Sequence, residues 1–306
     1  MRIVFAGTPD NAARTLDGLV LAGVDVVGVL TREDAPLGRG GTVTPSPVAI
    51  VAERNDIPVF KSNSLNQTGM EWIANLGPDL GVIVAYGAIL KNETLEIPKF
   101  GWINLHYSLL PEYPGASPVQ QAILEGKSVT GVTVFMLDEG VDSGPILSSA
   151  EVSIAPDANS ANLLSALSSA GIELLVSTLS NFDRLNGLKK AQDSSEKNAM
   201  TRKISRSDAR LDFAKDASAL SNLVRAMNPE PVAWCEYDAK PIRILEALAQ
   251  ADVELPRGEA RMIEANLVVG CARGGLMLRT VQPAGKNPMS GADWFRGLRR
   301  ESLLLS

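Results

Sequence analysis

The chain has 306 residues, of which 45% are hydrophobic and 21% are charged, and its formal net charge is −6. This length favours two domains, and this composition excludes disordered and collagen-like chains. Aromatic residues make up only 5% of the chain, which argues against a nucleic-acid surface built on aromatic stacking. The excess of acidic over basic residues excludes a basic protein that coats nucleic acid.

Two cysteines and one histidine limit the metal chemistry of the chain. Cys235 and Cys271 form no CxxC pair, which excludes a disulfide scaffold and a cysteine zinc site, and His106 alone cannot serve a site that needs two histidines. We therefore expect no metal. We expect free thiols and a cytoplasmic location, because the N-terminal residues lack the features of a signal peptide. The longest apolar stretch found, residues 19–30, is interrupted by Asp25 and is too short to span a membrane.

Short apolar runs alternate with helical patterns from the first residues of the chain onward. The apolar runs predict strands over residues 3–6, 24–30, 58–60, 80–85, 102–106, 130–137 and 146–154. Helical spacing predicts helices over residues 11–22, 48–54, 71–76, 118–125 and 160–185. Strands separated by helices indicate an α/β fold, namely a Rossmann-like, doubly wound and mostly parallel sheet.

A polar segment, residues 190–207, interrupts these patterns and predicts a linker between domains at 1–189 and 208–306. Beyond it, one helical pattern at 217–227 precedes short apolar runs that Gly and Pro separate, which predicts a small β-barrel. The first domain holds 11 basic and 20 acidic side chains, whereas residues 190–306 hold 18 and 15, so the net charges are −9 and +3. A positive second domain is compatible with an anionic partner and equally with ordinary compositional scatter.

The familiar phosphate-binding motifs are absent from the sequence. No GxxxxGK[ST] loop occurs, and the glycines at positions 38, 40 and 41 neither fit GxGxxG nor follow the first predicted strand. No GxSxG elbow of a serine hydrolase occurs either. The predicted sheet therefore resembles nucleotide-binding folds without their pyrophosphate loop.

Polar side chains occur at the ends of two consecutive predicted strands. Asn104 and His106 are two residues apart on the strand 102–106, so they point to the same face, and a Pro- and Gly-rich loop follows them. Asp142 follows the strand 130–137. If the two strands are adjacent and parallel, Asp142 comes close to His106 at the carboxyl edge of the sheet, where α/β folds bind ligands.

An amide, an imidazole and a carboxylate at one sheet edge suit acyl transfer to an amine. Asn104 and His106 can donate hydrogen bonds to an oxygen that gains negative charge, and Asp142 can accept the proton that the attacking amine loses. Each residue alone is more typical of a structural role, namely a surface or core histidine, a capping asparagine or an Asp-Ser-Gly turn. Their joint placement at two neighbouring strand ends favours a functional site. The spacing alone identifies no reaction.

The segment from Asn104 to Pro111, NLHYSLLP, resembles the signature of the 10-formyltetrahydrofolate-dependent formyltransferases. The similarity covers essentially the whole chain. Its further motifs are RIVFAGTPD at 2–10, PSPV at 45–48, VAYG at 84–87, GVT at 131–133, VDSG at 141–144 and QPAGK at 282–286. The resemblance is closest to the members whose acceptor is a charged initiator tRNA.

The resemblance implies that Asn104, His106 and Asp142 are the catalytic residues. It implies 10-formyltetrahydrofolate as co-substrate and no metal. The folate would lie against strand ends and the loops after them, and the residues implied for its binding are Tyr86, Gly87, Ser108, Leu109, Leu110, Pro111 and Asp138.

The family further implies that the formyl group goes to the α-amino group of methionine on initiator tRNA, and that an OB-like second domain helps to hold that tRNA. The loop 31–46 is long for a compact domain and is a tRNA candidate, because the family's tRNA-contacting insertion falls here. The residues expected to contact tRNA are Arg32, Arg39, Lys203, Arg206 and Arg210, of which Arg39 matches the family's arginine. We expect a monomer with no membrane and no DNA partner.

Two other functions stay open at this point. The acceptor could be a small amine, such as glycinamide ribonucleotide or an amino sugar nucleotide, although those relatives generally lack a second domain that ends in QPAGK. A non-catalytic RNA- or folate-binding module is the other alternative. Such a module would be expected to have lost one or more of the three catalytic residues, whereas all three are present here.

Overall fold

The computed structural model describes residues 1–37, 41–193 and 199–306. In the first part of the chain it contains β1 Arg2–Gly7, α1 Asp10–Leu21, β2 Asp25–Thr31, β3 Ala35–Leu37, β4 Thr42–Thr44, α2 Pro47–Arg54, β5 Val59–Lys61, α3 Gln67–Leu76, β6 Leu80–Val84, α4 Asn92–Leu95, β7 Trp102–His106, α5 Pro118–Leu124, β8 Val129–Met136, β9 Ile146–Ser153, α6 Ser160–Ser180 and α7 Phe182–Leu188. In the second part it contains a 3-10 helix Arg206–Ala209, α8 Ala217–Met227, β10 Ala233–Tyr237, β11 Lys240–Gln250, β12 Glu259–Ile263, β13 Asn266–Gly270, β14 Gly275–Pro283, β15 Met289–Ser290, α9 Gly291–Gly297 and β16 Leu303–Leu304.

These elements form two compact units, and neither is continuous in sequence. The first unit comprises Met1–Gly115, Thr130–Ser153 and Leu164–Met200, and the second comprises Ala116–Val129, Ile154–Leu163 and Thr201–Ser306. The second unit therefore includes two stretches that lie within the predicted first domain. The boundaries expected from the sequence, 1–189, 190–207 and 208–306, stay a prediction.

The first unit is built on a seven-stranded sheet in the order β5-β2-β1-β6-β7-β8-β9. The pairs β2–β5, β1–β2, β1–β6 and β6–β7 are parallel, which confirms the Rossmann-like, mostly parallel sheet. These strands are continuous apolar runs because both faces of such a sheet are covered. Ile3, Val4, Phe5 and Ala6 of β1 are all fully buried.

The expectation that the strands carrying His106 and preceding Asp142 are parallel is wrong. β8 runs antiparallel to β7, with Thr133 opposite His106 and Met136 opposite Ile103. A parallel pair needs a crossover segment packed on the same sheet, but α5, which connects these strands, belongs to the second unit. The end of β8 thus lies beside the start of β7, and the loop after β8 has to turn back to reach His106.

Residues 31–46, expected to be an irregular loop, contain a short antiparallel ribbon in their described part. β3 pairs with β4, with Ala35 opposite Thr44 and Pro36 opposite Val43. Ser46 then begins α2, because its hydroxyl accepts a hydrogen bond from the Ala49 backbone N–H. Arg39 lies outside the described residues.

The second unit is built on an antiparallel sheet in the order β10-β11-β14-β13-β12-β16, with β15 paired to β14. Two backbone hydrogen bonds between Glu236 and Ser306, of 2.6 and 3.0 Å, join the two ends of this order. The predicted β-rich, barrel-like second fold is therefore confirmed. Within this unit α8 packs on β11 and also against α5, which the sequence analysis had placed in the first domain.

The predicted helix over residues 160–185 is divided into α6 and α7 near Asn181. α6 buries Leu163, Leu167 and Leu175. By length and composition α6 could cross a membrane, since its mean hydropathy reaches 1.5 over 18 residues, and it is longer than the apolar stretch 19–30. One such helix is weak evidence, because core helices pass the same test.

We expect Gly81→Ala to lower the free energy of unfolding by about 1–3 kcal/mol, because overpacking a filled core strains it. A Cβ at Gly81 would lie 2.1 Å from the Trp102 ring, which is buried and donates its indole N–H to the Thr94 carbonyl. Urea denaturation of the purified variants measures the change.

The control is Gly187→Ala in α7, where nothing lies within 4 Å of the added methyl group. Alanine is the better helix former, so this variant should gain about 0.5–1 kcal/mol. Equal midpoints for the two variants would contradict this account of the Gly81–Trp102 contact.

Candidate active site

Asn104 lies near the end of β7, at the wall of a cavity in the first unit. Its side-chain oxygen Oδ1 is buried and has no hydrogen-bond partner among the described residues. A buried acceptor without a partner costs free energy unless a ligand or water supplies a donor. The Asn104 amide, at the wall of this cavity, is therefore a candidate ligand-binding group.

His106 is two residues further along β7, and only 6% of its surface is exposed. Its Nε2 lies 2.9 Å from the Tyr113 carbonyl, which can only accept, so Nε2 carries a hydrogen and donates it. Nδ1 lies 3.6 Å from Asp142 Oδ2. In a neutral ring with this tautomer, Nδ1 is an acceptor that faces the carboxylate of Asp142.

Asp142 reaches His106 on the loop that turns back after β8. The Gly115 backbone N–H donates to Asp142 Oδ2 at 2.7 Å, which fixes the carboxylate. The backbone φ of Asp142 is +53°, a left-handed value that costs free energy in a residue other than glycine and is typical of constrained functional loops. Tyr113, which holds the other side of the imidazole, has a φ of +55°.

Asn104 and Asp142 both line one cavity of about 640 Å³, a volume suited to a small ligand. Its lining includes both apolar side chains, among them Ile83, Leu90 and Leu137, and polar ones. The lining residues are Ile83, Ala88, Ile89, Leu90, Lys91, Asn92, Glu93, Leu95, Asn104, Leu137, Asp138, Glu139, Gly140, Val141 and Asp142. The cavity therefore lies against the end of β6 and the loop after β8.

Asp138 is the predicted folate residue that lines this cavity. Its carboxylate also builds the loop, because Oδ1 accepts from the Gly140 N–H at 3.0 Å and from the Ser143 hydroxyl at 2.9 Å. Asp138 thus both faces the cavity and shapes the loop that carries Asp142.

Tyr86 and Gly87, also predicted to bind folate, immediately precede the lining residues that start at Ala88. Tyr86 is 1% exposed and its hydroxyl donates to the Ser62 carbonyl at 2.8 Å. Burial raises the pKa of the Tyr86 phenol, and the nearby Arg32 charge acts in the opposite direction. Tyr86 is thus part of the core beneath the site, and Gly87, with a φ of +83°, makes the turn into the cavity wall.

The predicted folate residues Ser108, Leu109, Leu110 and Pro111 form the turn after β7 and are not in the cavity lining. The Ser108 hydroxyl donates to the Glu112 carbonyl at 2.5 Å. The buried Thr133 hydroxyl donates to the Ser108 carbonyl at 2.7 Å and accepts from the Leu110 N–H at 3.1 Å. This turn therefore leads the chain to Tyr113 and Gly115, which hold His106 and Asp142.

The residues expected to contact tRNA occur in both units, and each is exposed where the structure describes it. Arg32 of the first unit donates from Nε to Asn63 Oδ1 at 3.1 Å. In the second unit, Arg206 and Arg210 lie against the indole of Trp234, and Lys203 is exposed.

Several residues of the site were missed from the sequence. The Tyr113 carbonyl and the Gly115 N–H act through the backbone, which side-chain patterns do not reveal, although both follow the signature directly. The lining residues 88–93 follow β6 at the carboxyl edge of the sheet, so strand order could have indicated them. Gln192, which donates to the Asp142 and Gly144 carbonyls, lies in the polar segment interpreted as a linker.

No group of three or more His, Cys, Asp or Glu side chains in residues 1–37, 41–193 and 199–306 is arranged to hold a metal. The expectation of a metal-free site stays a prediction. What the arrangement offers is an amide with an unpartnered oxygen beside a carboxylate–imidazole pair that can hold a proton. These are the groups that acyl transfer to an amine uses.

Comparison with known proteins identifies relatives along the whole chain. A family model described as "Formyl transferase" matches residues 1–179, and one described as "Formyl transferase, C-terminal domain" matches residues 203–299. The chain is 41% identical to the methionyl-tRNA formyltransferase of Paenarthrobacter aurescens over 97% of both chains, and 42% identical to that of Methylococcus capsulatus over 96% of both. A solved N-formyltransferase from Helicobacter canadensis, in complex with folinic acid and dTDP-3-aminofucose, is 18% identical. It shares the fold with a TM-score of 0.65, over 92% of this chain and 98% of its own.

Proposed function

The chain belongs to the formyl transferase family, among the methionyl-tRNA formyltransferases, and from this premise we propose that its donor is 10-formyltetrahydrofolate and its acceptor the methionine of initiator tRNA. The chain is thus an enzyme of translation initiation that transfers a formyl group to methionyl-tRNA. The observation that supports the proposed site is the unpartnered Asn104 Oδ1, which shares one cavity of about 640 Å³ with Asp142.

The proposed reaction is balanced without a side-chain nucleophile. The methionine amine attacks the formyl carbon and forms a new C–N bond, and the bond from that carbon to N10 of the folate breaks. The amine loses one proton and N10 gains one. The protein therefore has to bind the two substrates, stabilise the negative charge that develops on the formyl oxygen, and move one proton.

Asn104 suits the charge-stabilising role, because its amide can donate from Nδ2 to the formyl oxygen. The Nε2–H of His106 is already bonded to the Tyr113 carbonyl, so Nδ1 can donate to the ligand only when the ring carries a second proton. Asp142, 3.6 Å from that Nδ1, is the group that accepts the proton of the amine. The Asp142–His106 pair then holds the proton that is transferred to N10 of the folate.

The apolar side of the cavity suits the flat ring system of a folate. Ile83, Leu90 and Leu137 supply this wall, and Asp138 supplies an acceptor at its edge. We propose that Tyr86, Gly87 and the turn Ser108–Pro111 support the folate from outside the lining.

A formyl-transfer assay tests this function. The purified chain is given 10-formyltetrahydrofolate with charged initiator tRNA, with glycinamide ribonucleotide or with an amino sugar nucleotide at matched concentrations. We expect turnover with the charged tRNA and none above background with the small amines. Transfer to a small amine without transfer to tRNA would contradict the proposed acceptor.

We propose that part of the tRNA contact lies at Trp234 in the second unit. The guanidinium carbons of Arg206 and Arg210 lie 5.4 and 5.2 Å from the centre of its ring, and the indole N–H donates to the Arg206 carbonyl. Arg210 also pairs with Glu236 at 3.2 Å, whereas Arg206 has no carboxylate partner among the described residues. Arg206 is therefore more available to a phosphate than Arg210, and exposed Lys203 is near it in sequence. Arg32 and Arg39 stay proposed contacts of the first domain.

We expect Arg206→Gln to raise the KM for charged tRNA several-fold and leave kcat and the KM for folate unchanged. Losing one phosphate contact should also reduce the slope of log affinity against log salt concentration by about 0.7–0.9. Steady-state kinetics at four salt concentrations measures both effects. The control is Arg261→Gln in the same unit, whose guanidinium already pairs with Glu259 at 2.5 Å. An unchanged salt slope in the Arg206 variant would count against this surface.

We further propose that the enzyme acts as a monomer in the cytoplasm, without a membrane or DNA partner. The net charge of −6 supports the last point, because general binding to DNA needs a concentrated basic surface.

A further inference from the structure

Gln192 lies 50 residues from Asp142 in sequence, yet its side chain bonds the loop that carries Asp142. Its Nε2 donates to the Asp142 carbonyl at 2.8 Å and to the Gly144 carbonyl at 2.9 Å. A side-chain amide has two N–H donors, and both are used here on one loop. Gln192 is partly buried and belongs to the same compact unit as Asp142.

The backbone around Gln192 is itself fixed to the same part of the chain. Lys190 and Ile146 exchange two backbone hydrogen bonds, of 2.7 and 2.9 Å. Ile146 begins β9, immediately after the loop. The segment 190–192 is therefore held at Ile146, and from there the Gln192 side chain reaches back to Gly144 and Asp142.

The loop needs such an external contact at Asp142. Within the loop, the Gly140 N–H and the Ser143 hydroxyl both donate to Asp138, and neither of these bonds involves Asp142. Gly144 passes so close to the Met136 carbonyl that a Cβ would lie 1.8 Å from that oxygen. Asp142 itself has a φ of +53°, a left-handed conformation that is uncommon in residues other than glycine.

We propose that Gln192 is a positioning residue for Asp142, one that fixes the backbone from which the carboxylate meets the His106 imidazole. This inference rests on the proposed function, because it assigns Gln192 to the proton-accepting step. A carboxylate held by neighbouring hydrogen bonds keeps its place, and even a small displacement of a reacting group lowers the rate strongly.

The test uses Gln192→Met and Gln192→Glu, which keep the length of the side chain and remove its two amide donors. In single-turnover formyl transfer to charged tRNA, we expect each variant to lower the rate about 10-fold, in line with the loss of an outer partner of a functional group. The KM values for folate and tRNA should stay within twofold of the parent. Gln67→Met is the matched control, because Gln67 donates to Glu71 on the exposed face of α3.

A double-mutant cycle separates positioning from general stability. If Gln192 acts through Asp142, Gln192→Met should have less than a twofold effect in an Asp142→Asn background. An equal effect in both backgrounds, no effect in the parent, or loss of folding in both Gln192 variants would each overturn the proposal. If Asp142→Asn alone is as active as the parent, the proposed catalytic role of Asp142 fails instead, and the positioning role fails with it.

Discussion

Asp142→Asn should lower kcat for formyl transfer about 10²–10⁴-fold, because the amide cannot accept the proton that the methionine amine loses. Asparagine keeps the shape of the side chain and still offers an oxygen to the Gly115 N–H. It also tolerates the left-handed backbone at this position. We therefore expect an unchanged melting temperature and an unchanged KM for folate, measured by thermal unfolding and steady-state kinetics.

The chain offers a close control for this substitution. Asp56 has a φ of +55°, is exposed and is not part of the site, so Asp56→Asn repeats the chemical change on the same backbone conformation. It should have parental activity. If Asp142→Asn retained more than a tenth of the parental kcat, Asp142 would not be the proton acceptor.

Asn104→Ala should lower kcat/KM about 10²–10³-fold, the usual cost of losing one donor to a developing oxyanion. The variant removes a buried oxygen that has no partner, so its stability should change little or even increase. A pre-steady-state measurement with saturating folate and charged tRNA places the loss in the chemical step.

Asn181→Ala is the control, since Asn181 is exposed and its side chain donates to the Ser177 carbonyl at the end of α6. Near-parental activity of Asn104→Ala, with the protein folded, would remove the amide from the mechanism. A rise in KM alone, without a fall in kcat, would instead make Asn104 a binding residue.

The centre of the sheet could be predicted because β1 and β6 are buried on both sides and are therefore largely apolar. Because side chains alternate along a strand, the sequence also predicted that Asn104 and His106 lie on the same face of β7. The direction of β8 could not be predicted, because it depends on where the connection between β7 and β8 packs, and α5 packs on α8. Local patterns carry no such information.

The side chains proposed to carry out the chemistry could be predicted from the sequence. The backbone groups that hold those side chains in place could not. The motif residues Asn104, His106 and Asp142 could be found, whereas the Tyr113 carbonyl and the Gly115 N–H have no side-chain signature. The pairing of Gln192 with the Asp142 loop joins residues 50 apart, and only the folded chain brings them together.

The interleaving of the two compact units has a consequence for how this chain could be recombined. Helix α5 and residues 154–163 come early in the sequence but belong with the barrel, where α5 packs on α8. A fragment that stops near residue 189 would carry Val119, Ala122 and Ile123 without the helix that covers them. A chimera that exchanged the barrel for that of a relative would therefore have to exchange these two early stretches as well. A single junction in the sequence would not separate the two units.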